Sequence, residues 1–351
     1  MFSNNLKIKV MIIIFLYNYF NKYCFHIRKR IGIVGLEHSQ NVGNNLLKYS
    51  IFIKIKELGH FPYIIGRKFR NHNISFLKHI VNLRLINNFS EINENDYDVL
   101  MVNSDQTWRR WDYYFYDIAF LKFAEHFQIP KFVYGASLGF ENWKFRKKDE
   151  EIAKYLLKNF TGISVRERSA KILIKKYLGF NAQFVLDPTL LIDKKYYLNL
   201  IKGFKSEIAS QLNNEEYLFV YIVTKPNYFG KYLNYVTNKL KIKIFYLTIN
   251  NKNQVQEFIY GISHCKAVIT DSFHATVFSI IFKRPFITFE NKFNAESRFN
   301  SLNEIFNIKS RVFDFRETPN ITLLNLPLSI NERNLISLKK QSIEYLKKNI
   351  N

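Results

Sequence analysis

Cysteine is almost absent from this sequence of 351 residues, which contains only Cys24 and Cys265. The two lie far apart in sequence, so neither a disulfide framework nor a cysteine-based metal site is indicated. The expected compartment is therefore a reducing one, the cytoplasm. Buried structural thiols are the simplest interpretation of both residues.

Acidic residues are scarce as well. The chain has 29 Asp and Glu against 52 Lys and Arg, a formal net charge of +23. Such a surface favours anionic partners: nucleic acid, an acidic membrane, or a small phosphorylated or carboxylated substrate. The basic residues are not gathered into a basic arm or an arginine-rich helix, and this argues against nucleic acid as a partner.

A long apolar run is also lacking at the N-terminus. The run at residues 10–17 is too short to span a bilayer as a helix, and basic residues follow it at Lys22, Arg28, Lys29 and Arg30. No small-residue cleavage site of the kind a signal peptide needs comes after it. We expect residues 1–29 to form an apolar and basic extension, either packed on the first domain or in peripheral contact with the inner face of the cytoplasmic membrane.

From residue 30 onward, short apolar runs alternate with amphipathic stretches. The chain is too long for one ordinary core, so two domains are expected. The pattern predicts an α/β protein with two Rossmann-like, doubly wound domains that face a cleft. The predicted boundaries are 30–205 for the N-terminal domain, 206–330 for the C-terminal domain and 331–351 for a helical tail. Strands are predicted at 31–34, 61–65, 99–102, 132–134, 162–165 and 183–186, and then at 217–223, 242–246, 267–270 and 286–289.

Ligands of open α/β sheets bind beyond the carboxyl ends of the strands, so the residues just after each predicted strand are the candidate site. The loop at 35–44 leads into a helix, whose free N–H groups could hold an anion or could simply be capped by asparagine. It is neither a Walker phosphate loop nor a GxGxxG loop. Polar or small residues follow most strands of the first domain: Asn41, Gly43, Asn44, Ser104, Asp105, Gln106, Ser137, Arg166 and Asp187.

Three further residues are singled out by position. His274 falls at a helix start, where the helix end disfavours a charged imidazole and a bound polyanion would favour it, as suits a general acid; the alternative is a packing or capping residue. Arg166 could pair with a carboxylate or phosphate, or could form a surface ion-pair cluster with Glu167 and Arg168. Arg298 is predicted to lie in a polar loop, beginning at residue 291, that could close over the site.

Five short motifs together resemble a known family. Asn-Val-Gly-Asn at 41–44, Ser-Asp-Gln-Thr-Trp at 104–108, Ser-Val-Arg-Glu at 164–167, Val-Leu-Asp-Pro-Thr at 185–189 and Thr-Asp-Ser-Phe-His at 270–274 occur in the order found in polysaccharide pyruvyl transferases. The resemblance extends from about residue 30 to about residue 311. Either the second or the last motif alone would be weak, but together they are fairly specific.

The resemblance implies a fold similar to GT-B glycosyltransferases, with phosphoenolpyruvate as the donor bound between the domains. Arg166 then resembles the arginine that holds the donor, and His274 the catalytic histidine. Asp105 is the candidate base. Further donor contacts are expected from Ser272, Arg298, Asn41, Gly43, Asn44, Ser104, Gln106 and Ser137, with Asp187 and Asp271 in supporting positions.

The chain departs from the family pattern at two places. Ala275 stands where glycine commonly follows the histidine. Ser272 and Phe273 stand where some branches have Arg-Leu, so a donor-binding arginine of those branches is absent, and Arg298 or Lys225 could replace it.

The implied reaction protonates the methylene carbon of phosphoenolpyruvate. One sugar hydroxyl then adds to the central carbon, phosphate leaves, and a second hydroxyl closes the ketal. The scheme needs no metal and no cofactor. The acceptor is a glycan, which could be lipid-linked.

Two other functions stay open at this stage. A glycosyltransferase of similar fold would use a nucleotide sugar, and Glu290 would be its candidate ribose ligand. A glycan-binding or assembly protein attached to a membrane would not depend on His274.

Overall fold

The structure is a computed structural model that describes residues 27–36, 41–68, 75–109, 115–212, 215–224, 229–248, 253–290 and 296–351. The apolar run at 10–17, Cys24, Lys225 and residues 291–295 lie outside the described residues. Among the described residues, no helix combines the length and the apolar composition that crossing a bilayer requires.

A seven-stranded parallel sheet forms the N-terminal domain, with its strands in the order β3-β2-β1-β4-β5-β6-β7. The central strands are buried on both faces, as their nearly continuous apolar sequences require. The strand order reverses between β1 and β4, which is where ligands of such sheets bind. The strands are β1 (Arg30–Val34), β2 (Phe61–Arg67), β3 (Leu83–Ile86), β4 (Val99–Val102), β5 (Lys131–Ala136), β6 (Gly162–Val165) and β7 (Gln183–Phe184).

A second parallel sheet of five strands forms the C-terminal domain, in the order β12-β11-β10-β8-β9. Its order reverses between β8 and β10, so the loops after these two strands face the expected ligand position. Two parallel sheets confirm the predicted α/β class with two domains of this kind. The strands are β8 (Tyr217–Tyr221), β9 (Lys243–Leu247), β10 (Ala267–Thr270), β11 (Phe286–Glu290) and β12 (Val312–Asp314).

Helices connect the strands and cover the sheets. Those of the N-terminal domain are α1 (Val42–Glu57), α2 (Ser75–Lys78), α3 (Phe115–Phe120), α4 (Lys147–Leu157), α5 (Arg168–Leu178) and α6 (Lys194–Asn199). Those that follow are α7 (Glu207–Ser210), α8 (Phe229–Leu240), α9 (Gln254–His264), α10 (Phe273–Ile281), α11 (Glu296–Phe306) and α12 (Glu332–Ile350).

The residues expected to form a helical tail are the single helix α12, which packs on the N-terminal domain. The Tyr345 hydroxyl donates to the carbonyl of Val133 at 2.7 Å, and the Ser342 hydroxyl accepts from the backbone N–H of Leu186 at 2.9 Å. The last helix of the chain therefore supports the sheet of the first domain.

The two domains share an apolar core at their junction. Tyr197 of α6 packs edge-on against Phe278 of α10, with ring centroids 4.8 Å apart, and both rings are fully buried. Cys265 is buried in the second domain, where burial raises the pKa of its thiol to about 12. The prediction that this thiol is buried is confirmed.

Two strands were not predicted from the sequence. Both β3 and β12 lie at a sheet edge, and most of their residues are only partly buried. Edge strands need no continuous apolar sequence, and β3 carries Arg84 within it. The helix α11 was also missed, and this changes the position of Arg298, as described below.

Candidate active site

Arg166 forms the centre of a buried group of charges at the carboxyl edge of the first sheet. Its Nη2 lies 2.8 Å from Asp105 Oδ1, and its Nη1 donates to Asp187 Oδ2. We call Arg166, Asp105 and Asp187 the Arg166 cluster. The exposed fractions of the three side chains are 2%, 11% and 3%. The loops after β4, β6 and β7 are thus joined through one guanidinium.

The alternative that Arg166 belongs to a surface ion-pair cluster is wrong. Glu167 is buried with it, and only Arg168 reaches the surface, where it pairs with Glu304 at 2.7 Å. The physical reason is that Arg166 and Glu167 directly follow a buried strand and contact the loops after β4, β5 and β7, whereas Arg168 begins α5.

The charge of Arg166 controls the ionisation of the two aspartates. Burial alone would raise the pKa of Asp105, but Arg166, with His274 and Arg298 as weaker influences, lowers it to about 2. The pKa of Asp187 is likewise lowered by Arg166 and His274 against the effect of burial. Both carboxylates are ionised at neutral pH. A carboxylate with a pKa of about 2 accepts protons poorly, so the Asp105 environment suits a positioning charge better than a base.

His274 lies where the two domains meet. It is the second residue of α10, and its ring packs against Gly43, the second residue of α1: a Cβ added at Gly43 would lie 2.0 Å from His274 Nδ1. His274 Nε2 lies 3.8 Å from Asp187 Oδ2, which is too long for a hydrogen bond. This buried nitrogen has no hydrogen-bond partner among the described residues.

Two helix N-termini converge at this point, one from each domain. The helices α1 and α10 begin at Val42 and Phe273, and their second residues are in contact. The first turn of an α-helix has N–H groups without an intrahelical acceptor and carries a partial positive charge, and in α1 and α10 one of these N–H groups is capped by a side chain. Their convergence favours an anion between the domains.

Arg298 adds a second guanidinium to the site. Its Cζ lies 5.2 Å from the centroid of the Phe273 ring, and the Cζ of Arg166 lies 4.9 Å from the same centroid. Burial first, and then repulsion by Arg166, lower the pKa of Arg298 to about 10, although Asp105 and Glu167 partly offset this. Arg298 stays charged at neutral pH, and a further anion nearby would stabilise it.

The prediction that Arg298 lies in a polar loop is wrong, because Arg298 lies in the first turn of the helix α11. The buried side chains Phe299, Leu302 and Phe306 recur at helical spacing on the inner face of α11. The polar residues between them made the segment resemble a loop in the sequence.

Other predicted residues of the first domain lie around the Arg166 cluster. Asn44 Nδ2 donates to Asp105 Oδ2 at 3.4 Å, and the Asn41 side chain caps α1 by accepting from the N–H of Asn44. The Ser137 hydroxyl donates to the Glu167 carboxylate. The Ser104 hydroxyl donates to a backbone carbonyl in the neighbouring strand at 2.7 Å. Asn44 therefore touches the cluster directly, whereas Asn41 and Ser104 hold the backbone around it.

In the second domain, Ser272 and Asp271 organise the backbone near His274. The Ser272 side chain caps α10 by accepting from the N–H of Ala275 at 3.4 Å. Asp271 accepts from the N–H groups of Val223 and Thr224 at 2.6 and 2.8 Å. Asp271 thus ties the loop after β8 to the loop after β10, at the reversal point of the second sheet.

The model of a known protein family matches this chain over most of the site. The model describes polysaccharide pyruvyl transferases and matches residues 41–292, well over half of the chain. The chain belongs to the polysaccharide pyruvyl transferase family. A search of curated proteins by sequence finds no match. The matched span contains every site residue predicted above except Arg298.

Solved structures that resemble this chain include nucleotide-sugar enzymes. The UDP-GlcNAc 2-epimerase from Neisseria meningitidis bound to UDP-GlcNAc is 11% identical, with a TM-score of 0.54 over 92% of this chain and 93% of the epimerase. The UDP-GlcNAc 2-epimerase from Methanocaldococcus jannaschii is 12% identical, with a TM-score of 0.54 over 89% of this chain and 92% of the other. UGT89C1 from Arabidopsis thaliana complexed with UDP-L-rhamnose is 8% identical, with a TM-score of 0.52 over 92% and 95%. At such identities the likeness concerns the fold, which is of the GT-B type, as predicted.

Two residues of this candidate site were not predicted from the sequence. Glu167 is buried beside Arg166, and its pKa is raised, above all by burial. Phe273 contacts both guanidinium groups. Both residues lie inside the motifs that carry the family resemblance. Their position next to Arg166 and His274 was therefore the available signal.

The contact between Gly43 and His274 leads to a first prediction. Gly43→Ala places a methyl group inside the His274 ring position, and we expect a loss of about 1–3 kcal/mol in the free energy of unfolding, because either the ring or α1 must move. Gly230→Ala is the matched control: it is also a helical glycine, with nothing within 4 Å of the added Cβ. The control should be neutral or stabilising by up to about 1 kcal/mol. Equal effects of the two substitutions in urea titrations would contradict the contact.

Proposed function

We propose that this protein transfers the pyruvyl group of phosphoenolpyruvate to a sugar of a surface polysaccharide, or of its lipid-linked precursor, and forms a pyruvate ketal. The observation that carries the proposal is the convergence of two helix N-termini on His274, with Arg298 beside the neighbouring Phe273. This arrangement concentrates positive potential around a group able to donate a proton. Phosphoenolpyruvate requires both, since it is a small, highly charged anion that reacts after protonation.

The charges of the site divide between positioning and binding. Arg166 is matched by Asp105 and Asp187, so its charge is already compensated without a ligand. We assign donor binding above all to Arg298, which lies beside Phe273 at the start of α10, and to the N–H groups at the starts of α1 and α10. Arg166 holds the two carboxylates in place.

His274 acts as the general acid in this proposal. It gives its proton to the methylene carbon of phosphoenolpyruvate, and the central carbon becomes electrophilic. A sugar hydroxyl adds there and gives its proton to the now neutral imidazole of His274. Phosphate leaves with the bonding electrons of the C–O bond, and the second hydroxyl closes the ketal as its proton passes to the released phosphate. Asp187 stabilises the protonated imidazole before the transfer. We assign Asp105 to holding Arg166 and Asn44, because its low pKa makes it a weak base.

The proposal also includes the partners of the protein and the place in the cell where it acts. The scheme needs no cofactor beyond the donor itself. A net charge of +23 would suit work on a lipid-linked glycan at the acidic inner face of the cytoplasmic membrane. The basic N-terminal residues would assist such a peripheral contact.

A second prediction tests donor binding without a known acceptor. Phosphoenolpyruvate should raise the thermal midpoint of the purified protein, because a ligand that binds only the folded state stabilises it. Arg298→Met should remove most of this increase. Arg316→Met is the control, since the Arg316 side chain is 81% exposed and pairs with Asp314 on the surface.

The same measurement can reject the proposal. Stabilisation by a nucleotide sugar such as UDP-GlcNAc, with none by phosphoenolpyruvate, would favour a glycosyltransferase. A response to phosphoenolpyruvate that Arg298→Met leaves intact would place the donor elsewhere in the chain.

A further inference from the structure

A cavity of the N-terminal domain lies next to the candidate active site. Its volume is about 360 Å³, and its walls include Trp108, Arg109, Phe140, Lys144 and Arg146. We call it the cationic cavity. None of these residues belongs to the Arg166 cluster or to the helix starts that we assign to the donor.

The cationic cavity is a direct continuation of two loops that build the active site. Trp108 and Arg109 come immediately after the motif that contains Asp105, and Phe140 follows Ser137 by three residues. The two loops are hydrogen-bonded to each other: the N–H of Ser137 donates to the carbonyl of Asp105 at 2.9 Å, and the N–H of Trp108 donates to the carbonyl of Ser137 at 3.3 Å.

The cationic cavity is also electrostatically coupled to the site. Arg109 is one of the charges that lower the pKa of Arg298. The two guanidinium groups are therefore close enough to repel one another. A molecule in the cavity would lie beside a donor held by Arg298.

The chemistry of the walls combines aromatic surface with positive charge. Arg109 Cζ lies 4.7 Å from the centroid of the Phe140 ring, and Lys144 Nζ lies 3.6 Å from it. Arg146 is matched by Asp149, with Nε 3.0 Å from Oδ2, and Asp149 also accepts from the Tyr116 hydroxyl at 2.6 Å. Among the described residues, the walls carry three basic side chains, Arg109, Lys144 and Arg146, and one carboxylate, Asp149, beside the Phe140 ring. Burial lowers the pKa of Arg109.

We propose that the cationic cavity binds the acceptor as a saccharide that itself carries a negative charge, either a phosphate or a carboxylate. This inference rests on the proposed function, because a glycan acceptor must lie next to the donor. The aromatic walls would pack against the apolar face of a sugar ring, and Arg109 and Lys144 would bind the anionic group. A phosphate would come from a sugar 1-phosphate linkage, as in a lipid-linked glycan, and a carboxylate from an acidic sugar.

Isothermal titration of the full-length protein can test this with defined probes: N-acetylglucosamine 1-phosphate, methyl glucuronide, uncharged methyl glucoside and inorganic phosphate. At least one charged sugar should bind at millimolar concentration, more tightly than methyl glucoside and inorganic phosphate. The better of the two charged sugars identifies the source of the anion. Saturating phosphoenolpyruvate should not displace the bound charged sugar.

Substitutions then locate the bound probe. Arg109→Gln and Lys144→Gln should each weaken binding of the charged sugar about tenfold, as expected for the loss of a charge-assisted contact. Lys148→Gln is the matched control, because Lys148 is nearby and exposed, and the substitution removes the same charge from the surface. It should leave the affinity within about twofold of the native value.

Failure of this inference and failure of the proposed function give different results. If phosphoenolpyruvate stabilises the protein but neither charged sugar binds, the cavity proposal is overturned while the donor assignment stands. Inorganic phosphate binding as tightly as the sugar phosphate, or an equal loss in Lys148→Gln, would also overturn it. If the charged sugar binds and both cavity variants lose it, the cavity proposal stands even when phosphoenolpyruvate has no effect.

Discussion

Replacing His274 with asparagine should lower the rate of pyruvyl transfer about 10²–10⁴-fold, the usual contribution of a general acid. Asparagine keeps a polar side chain of similar reach in the contact with Gly43, but it cannot donate a proton to carbon. The rate can be followed as phosphate released from phosphoenolpyruvate in the presence of the acceptor, and as pyruvate ketal on the product glycan. The largest effect should be on kcat, because the lost interaction acts in the transition state.

Two controls separate loss of chemistry from loss of structure. His264→Asn removes a histidine that ends α9 and stacks on Tyr260, outside the site, and it should keep native activity. In His274→Asn itself, phosphoenolpyruvate should still raise the thermal midpoint, since Arg298 and the helix starts remain. Activity within a few-fold of native in His274→Asn would exclude this histidine as the acid and would support a site that only binds glycans.

The sequence predicts the fold well because the sheets are buried on both faces. The apolar runs at 99–102, 162–165 and 267–270 coincide with β4, β6 and β10, since central parallel strands exclude polar residues. The missed strands β3 and β12 are at sheet edges, where this constraint is absent. Local pattern therefore reveals the centre of each sheet better than its border.

The sequence predicted which residues form the candidate site better than it predicted what each of them does. The rule that ligands bind beyond the strand ends selected Asp105, Arg166, Asp187 and His274, and the structure brings these four together. The sequence could not show that Arg166 is compensated by two carboxylates, or that Arg298 begins a helix next to Phe273. Such contacts depend on how loops from separate strands and domains meet, which no local pattern encodes.

The largest effect on stability is expected for Arg166→Met. Methionine has a similar length but leaves Asp105 and Asp187 buried without their counter-charge. Breaking a buried ion pair by removing one partner costs about 3–5 kcal/mol. All three tryptophans of the chain lie between residues 108 and 143, so their fluorescence in a urea titration reports on the N-terminal domain. Arg316→Met is again the control, because it removes a two-point contact with Asp314 at the surface, and such pairs contribute at most about 1 kcal/mol.

Arg166→Met lowers the free energy of unfolding, and the pH dependence of this deficit distinguishes lost charge pairing from lost packing. In the native protein the pKa of Asp105 is lowered to about 2, so its stabilising contribution is present above the usual aspartate pKa of about 4 and is lost as the pH falls towards 2. Without Arg166, burial dominates and raises the pKa of both carboxylates. Protonation of these carboxylates therefore stabilises the folded variant, whereas it destabilises the folded native protein. The deficit should therefore be largest near neutral pH and should narrow below about pH 4. A deficit that is constant with pH would mean that Arg166 acts through packing alone, and one no larger than that of Arg316→Met would contradict the buried cluster itself.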